Sequence, residues 1–222
     1  MLGLDPDSVV NRIQSDGQPF LLPTLRQSIA VGTLGFMMVG VAAFSLWAFG
    51  GRNLGRALGS VGFYSLIALV LLGGGALVLK PIIIGRNLGR FAAAFALGFV
   101  LLSAAWIIGD LLRLPYRIGE FGGVVIGSVL LAGTLAAAYR AGTRLLRCAA
   151  SLALAHFGGY LIADRLFAFE ALKNQMGMLL WGLIYGAGLG LGISTVLYHC
   201  QQEIRDRLTV LLQKEPPANG GD

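Results

Sequence analysis

The sequence predicts an all-α, polytopic integral membrane protein with about six transmembrane helices in one bundle. Of its 222 residues, 56% are hydrophobic and only 13% are charged, whereas soluble domains carry about a quarter of their residues as Asp, Glu, Lys and Arg. The mean hydropathy is +0.75. The apolar residues also form runs of about 20, the length that a helix needs to cross a bilayer.

The apolar runs set the order of the predicted helices. Short segments that contain glycine, proline and charged residues separate them. The runs cover residues 26–50, 59–80, 91–112, 121–139, 149–168 and 177–198. We assign residues 26–198 to one six-helix transmembrane domain.

The N-terminal segment, residues 1–25, predicts a short cytosolic helix followed by a turn. Asp5 suits the N-cap position, and Pro6 suits the first helical position, where its missing N–H costs nothing. The stretch from Ser15 to Pro19 contains turn-forming residues and ends this helix.

The C-terminal segment predicts a further helix outside the transmembrane domain. Residues 199–214 place apolar side chains on one helix face and charged side chains on the other, as in an amphipathic surface helix. The apolar residues are Ile204, Leu208, Leu211 and Leu212, and the charged residues are Glu203, Arg205, Asp206 and Arg207. Residues 215–222 predict a disordered tail by their composition.

The basic residues lie between the apolar runs and indicate the orientation of the chain rather than a nucleic-acid surface. If both termini face the cytosol or matrix, eleven of the 17 Lys and Arg residues fall on that side and six on the other. This excess predicts such an orientation in a bacterial cytoplasmic membrane or a mitochondrial inner membrane. The six are Arg52, Arg56, Arg113, Arg117, Arg165 and Lys173.

The hexapeptide Gly-Arg-Asn-Leu-Gly-Arg occurs twice, at residues 51–56 and 85–90, each time just before an apolar run. One helix separates the copies, so they are expected on opposite membrane faces, as in a local inverted duplication. The alternative is a convenient helix start whose arginines reach the membrane interface. The arginines predicted to contact lipid phosphate are Arg52, Arg56, Arg86 and Arg90.

One ionisable side chain, His156, is expected near the middle of the membrane. Tyr160 and Asp164 follow at steps of four residues and share its helix face. Ionisable groups inside a membrane are costly, so this stripe is a candidate polar site that passes protons or lines a cavity. The alternative is a neutral histidine that is hydrogen-bonded between helices. In both cases the stripe is expected to face the bundle interior, because lipid leaves polar groups unpaired.

The remaining residues show no catalytic or metal-binding pattern. Cys148, His199 and Cys200 lack metal-ligand spacing, and both cysteines are expected to be reduced thiols. The sequence contains neither a Gly-x-Ser-x-Gly elbow nor a His-Glu-x-x-His motif. We therefore expect no enzymatic activity, no metal and no cofactor.

The sixth apolar run has the pattern of a glycine zipper. Gly182, Gly186 and Gly190 lie four residues apart on one helix face, and Gly188 and Gly192 lie on another. Small residues at this spacing let helix backbones approach closely in a membrane, where van der Waals contact drives association. These faces are predicted to pack against other helices, either within one bundle or between protomers.

The segment that runs from Trp181 and Tyr185 through alternating glycines to Cys200 and Gln201 resembles the glycine-rich second helix of the small core subunit of the mitochondrial MICOS complex. The resemblance covers residues 181–201 only. Members of that family are hairpins that oligomerise through these glycines and bend the inner membrane at cristae junctions. The resemblance implies the same role for Gly186, Gly188, Gly190 and Gly192.

Together these features favour a non-enzymatic membrane protein that acts as a packing or scaffolding subunit of a membrane assembly. Its expected partners are membrane lipids and other membrane subunits or copies of itself, and not nucleic acid. The alternative is a transporter or channel for a small solute or ion that uses His156, Tyr160 and Asp164. Such a protein should bring polar residues from several helices together at mid-depth.

Overall fold

The computed structural model describes residues 2–16, 22–85, 87–169 and 173–214. The protein is 89% helical, with no strand in the described ranges. Helices α2 to α7 are long and apolar enough to cross a membrane, which confirms the predicted number of such helices. The helices are α1 (Pro6–Asp16), α2 (Leu25–Gly59), α3 (Val61–Ile82), α4 (Leu88–Leu111), α5 (Ile118–Ala138), α6 (Gly142–Phe167), α7 (Gln175–Cys200) and α8 (Gln202–Lys214).

The first long helix ends later than the sequence predicts. Instead of stopping at residue 50, α2 passes through a π-helical turn at Leu46–Gly50 and continues to Gly59. Gly59 has φ +69, a left-handed conformation that a residue without a Cβ adopts without a clash. The chain turns there into α3. The boundary therefore depends on the backbone conformation of this one glycine.

Helix α7 lies at the centre of the bundle. It packs against α2 on one side and against α6 on the other, while α4 packs against α5 and α5 against α6. A continuous apolar core joins these helices, and each of α2, α4, α5, α6 and α7 contributes at least one fully buried side chain to it. Examples in this order are Phe36, Phe95, Leu131, Leu152 and Ile193.

Helix α3 has the least buried apolar stretch of the six long helices. In its most apolar stretch of 18 residues, 17% is buried inside the protein, against 44% in α5. Its second half reaches the core at Gly74 and Gly75 and at the fully buried Leu79. Its first half contacts the end of α2, where the Tyr64 and Trp47 rings lie edge to face at 5.9 Å.

The side chain of Gln201 joins the end of α3 to the end of α7. Its carbonyl oxygen accepts the Ile84 N–H at 2.6 Å, and its amide nitrogen donates to the Ile82 carbonyl at 3.1 Å. Gln201 is 1% exposed, so these hydrogen bonds satisfy backbone groups that water cannot reach. They hold the α3–α4 turn against α7.

The terminal helices α1 and α8 pack against each other. Asp5 caps α1 as predicted, because its carboxylate accepts the Ser8 N–H at 3.1 Å. Burial alone would raise the pKa of Asp5, but the hydrogen bonds from Ser8 outweigh it and lower the pKa below its usual value. Arg207 of α8 donates to Asp7 of α1 at 2.6 Å.

The apolar side chains predicted on one face of α8 differ in burial. Ile204 and Leu208 are fully buried, and Leu212 is 52% exposed. Arg205, expected on the polar face, is 7% exposed. Its guanidinium lies over the Tyr198 ring, with 3.6 Å from Cζ to the ring centroid, and burial lowers its pKa.

Candidate functional site

The predicted polar stripe of α6 faces the interior of the bundle. His156 is 1% exposed and Tyr160 is 5% exposed. Asp164, one turn nearer the end of the helix, is partly buried. The expectation that the stripe turns away from the outer surface is therefore confirmed for His156 and Tyr160.

His156 is hydrogen-bonded to both neighbouring helices. Its Nδ1 lies 2.8 Å from Ser128 Oγ of α5, and its Nε2 lies 3.0 Å from the Tyr185 hydroxyl of α7. The Ser128 hydroxyl donates its one hydrogen to the Val124 carbonyl at 2.7 Å. In a neutral imidazole, Ser128 therefore accepts the Nδ1 proton and Tyr185 donates to Nε2. That tautomer satisfies both ring nitrogens.

An ion cluster lies at the Asp164 end of the same stripe. Arg117, in the turn before α5, donates to the two carboxylate oxygens of Glu120 at 2.6 and 2.8 Å and to Asp164 at 2.8 Å. It also donates to the Tyr160 hydroxyl at 3.0 Å, and Tyr160 in turn donates to Glu120. The hydrogen bonds with Glu120 are the largest reason why the pKa of Arg117 is raised.

Arg117 reaches these partners from an unusual backbone conformation. Its φ is +59, in the left-handed region that costs a non-glycine residue about 1–2 kcal/mol. Charge-assisted hydrogen bonds to two carboxylates offset that cost. The cluster ties the start of α5 to the end of α6.

Aromatic rings separate the ion cluster from His156. The Trp181 ring lies between those of Tyr160 and Tyr185, with centroid separations of 6.0 and 4.8 Å. Among the described residues, no hydrogen bond joins Tyr160 to Tyr185 or to His156. The stripe therefore consists of two polar groups with a ring contact between them.

Four residues of this site were missed by sequence reasoning: Arg117, Glu120, Ser128 and Tyr185. The three-residue spacing of Arg117 and Glu120 was a signal for a local ion pair. Nothing in the sequence connects them to α6, because the register between two packed helices is a tertiary property. Ser128 and Tyr185 are common residue types in apolar runs and carry no pattern of their own.

The first glycine face of α7 is covered by α2. A Cβ added at Gly182 would lie 2.8 Å from the Gly40 carbonyl oxygen. Cβ atoms at Gly186 and Gly190 would collide with backbone carbonyl oxygens of α2. The two backbones are therefore in direct contact along this face.

The second glycine face of α7 is covered by α6. A Cβ at Gly188 would lie 2.6 Å from the Ala155 carbonyl oxygen, and one at Gly192 would lie 3.1 Å from the Cα of Leu152. Of the two alternatives for these glycines, packing within one bundle is the arrangement in the structure. The oligomer contact implied by the MICOS resemblance stays a prediction.

The two copies of the hexapeptide have different structures. Residues 51–56 lie in the last turns of α2, so the alternative of a convenient helix start does not describe the first copy. In the second copy, Gly85 has φ +83 and Asn87 is the N-cap residue of α4. Of the arginines predicted to contact lipid phosphate, one lies outside the described residues, Arg86, and three are exposed, Arg52, Arg56 and Arg90.

Comparison with known proteins identifies no relative. No protein-family model, no curated protein and no solved structure matches this chain. The function is therefore inferred from the residues and contacts of the chain itself.

The two cysteines approach each other across the α6–α7 contact. Cys148 and Cys200 are buried free thiols whose Sγ atoms lie 3.9 Å apart. Within the described ranges, no group of three or more His, Cys, Asp or Glu side chains is placed to hold a metal ion.

Proposed function

We propose that the chain is a six-span integral membrane protein of a bacterial cytoplasmic membrane or a mitochondrial inner membrane, with both termini on the cytosolic or matrix side. The six long apolar helices and the excess of basic residues on that side support this arrangement. In the membrane it acts as a non-enzymatic subunit of a larger assembly.

The observation that carries the assembly role is the incomplete packing of α3. Large apolar side chains are exposed along its length, including Val61 at 82%, Leu69 at 67% and Leu77 at 62%. Helices in a bilayer associate through van der Waals contact rather than through the hydrophobic effect. A helix that makes few such contacts within its own chain has the most to gain from a helix of another subunit.

The glycine faces of α7 support this proposal indirectly. Because α2 and α6 cover both faces within the chain, we place the partner contact elsewhere than on these glycines. The glycines hold α7 close to its neighbours, whereas the turn from α2 to α3 carries exposed apolar side chains such as Leu58 and Val61. We therefore propose α3 as the assembly surface.

Site-specific photocrosslinking in native membranes tests the assembly role. A photoreactive amino acid at Val61 or Leu69 is expected to crosslink the chain to another polypeptide. The matched control is Ile126 of α5, which is 57% exposed on a well-packed helix. Lipid adducts alone at all three positions, together with a monomeric mass in mild detergent, would contradict the assembly role.

A second candidate function, transport of protons or small cations, is favoured by one observation. Polar groups from α5, α6 and α7 converge on His156, as expected of a transport site. Proton flux into proteoliposomes under an imposed gradient tests it. Wild-type flux that is lost in both His156→Gln and Glu120→Gln would support transport, and a wild type that conducts no protons or cations would exclude it.

A further inference from the structure

Two arginines from different parts of the chain meet beside Gly3. Arg12 of α1 donates from Nη2 to the Gly3 carbonyl at 3.3 Å. Arg90, in the first turn of α4, places its Nη1 so close to Gly3 that an added Cβ would collide with it. Arg12 Nη2 lies 3.8 Å from the same Cβ point. Two positively charged groups therefore converge on one short piece of backbone.

No carboxylate in the described ranges forms an ion pair with Arg12 or Arg90; the ion pairs found there involve Arg117 and Arg207. Asp5, the acidic residue nearest to Gly3 in sequence, accepts hydrogen bonds from Ser8 with both carboxylate oxygens. Like charges repel, so the convergence of the two guanidiniums costs free energy unless an anion joins them.

Two further donors lack an acceptor in the described structure, one on Arg12 itself and one on Asn87, three residues before Arg90 in sequence. Arg12 Nη1 and Asn87 Nδ2 are buried and make no hydrogen bond. Asn87 is the N-cap residue of α4, but its side chain does not cap the helix. Arg12 is held close to this segment because Val9, one turn earlier in α1, packs on Gly85, whose added Cβ would lie 2.7 Å from Val9 Cγ1. An acceptor bound here would satisfy donors that are otherwise orphaned.

We infer that Arg12, Arg90 and Asn87 form a binding site for a phosphate group. A phosphate supplies negative charge and several acceptor oxygens, which suit two guanidinium forks and an amide. The ligand is either the phosphodiester of an anionic lipid or free inorganic phosphate, which share this chemistry. That the phosphate comes from a lipid depends on the proposed membrane location. Arg90 lies in the first turn of α4, and lipid phosphates lie where apolar spans end. The phosphate site itself does not depend on that location.

Thermal unfolding of the delipidated full chain in mild detergent tests the site, with inorganic phosphate titrated against chloride at constant ionic strength. Phosphate is expected to raise the melting temperature of the wild type. Arg12→Gln and Arg90→Gln should each weaken its apparent affinity about tenfold or more, because each removes a charge-assisted contact. The control Arg26→Gln, at an exposed arginine in the first turn of α2, should leave the affinity unchanged.

The variant Gly3→Ala distinguishes phosphate binding at a specific site from nonspecific attraction to positive charge. Its Cβ would displace the Arg90 guanidinium while the net charge stays the same, so phosphate binding should weaken as much as in Arg90→Gln. Native mass spectrometry with phosphatidylglycerol and phosphatidylcholine then distinguishes the sources. A phosphatidylglycerol adduct displaced by phosphate identifies a lipid, and a phosphate effect without the adduct identifies the free ion. If neither a phosphate effect nor a phosphatidylglycerol adduct depends on Arg12 and Arg90, the inference is overturned.

Discussion

Helices α7 and α3 are both apolar and long enough to span a membrane, yet they are packed in opposite ways. In their most apolar stretches of 18 residues, the mean hydropathy is 2.2 in α3 and 1.6 in α7, but 17% of the α3 stretch is buried against 39% of the α7 stretch. Residue size explains the difference, because glycines let α7 touch two backbones directly. Helix α3 reaches the core in its second half, at Gly74, Gly75 and Leu79. Hydropathy therefore indicates whether a helix can span a membrane, whereas the position of its small residues indicates how closely it packs against neighbouring helices.

Replacing a glycine at the α7–α2 contact is expected to have the largest effect. Gly190→Leu places a side chain against a backbone carbonyl that cannot move aside, so we expect a loss of about 3 kcal/mol or more in the free energy of unfolding. The matched control is Gly158→Leu on α6, where an added Cβ meets nothing within 4 Å. Thermal unfolding in one detergent compares the two. Equal losses would show that close packing does not distinguish α7.

A smaller effect is expected from the polar contact between α7 and α6. Tyr185→Phe removes the donor to His156 Nε2 and leaves a buried acceptor unpaired, a loss of about 1 kcal/mol. The same change at Tyr64 of α3, which is 55% exposed, should leave stability unchanged. If Tyr64→Phe destabilises the chain as much as Tyr185→Phe, α3 is held by contacts comparable to those of α7.

The smallest effect is expected on α3 itself. Leu69→Ala removes a side chain that is 67% exposed and should change the free energy of unfolding by less than about 0.5 kcal/mol. Leu189→Ala on α7, where the side chain is 1% exposed, should cost about 2–5 kcal/mol. Chemical unfolding of both variants measures the contrast. A large loss at Leu69 would mean that the exposed face of α3 is also held by contacts within the chain.

Features that depend on local pattern were predicted from the sequence. The six long helices follow from run length, the cap of α1 follows from Asp5 and Pro6, and the burial of His156 follows from its polar, ionisable ring in an apolar run. Each of these is decided by residues within a few turns of one another. The partners of His156 were not predicted, because they come from two other helices.

The hexapeptide shows why the remaining features were not predicted. The same six residues lie in the last turns of α2 at 51–56 and lead into α4 at 85–90. In the second copy Val9 packs on Gly85, and Gln201 holds the backbone just before it. In the first copy the position equivalent to Gly85 is Gly51, where an added Cβ would lie 3.6 Å from the ring of Trp47, four residues earlier in the same helix. The backbone conformation of the second copy is set by residues that are distant in sequence, and a local pattern does not include them.

The two halves of α3 are held to different degrees. Gln201 fixes Ile82 and Ile84, and Gly74 and Gly75 meet the core, whereas an added Cβ on Gly59, just before α3, would meet nothing within 4 Å. The part of α3 from residue 61 to residue 73 spans about 20 Å at 1.5 Å per residue. A tilt of about 10° in this half would therefore move Val61 through about 3 Å. The turn between α2 and α3 can shift by this amount while the core keeps its packing.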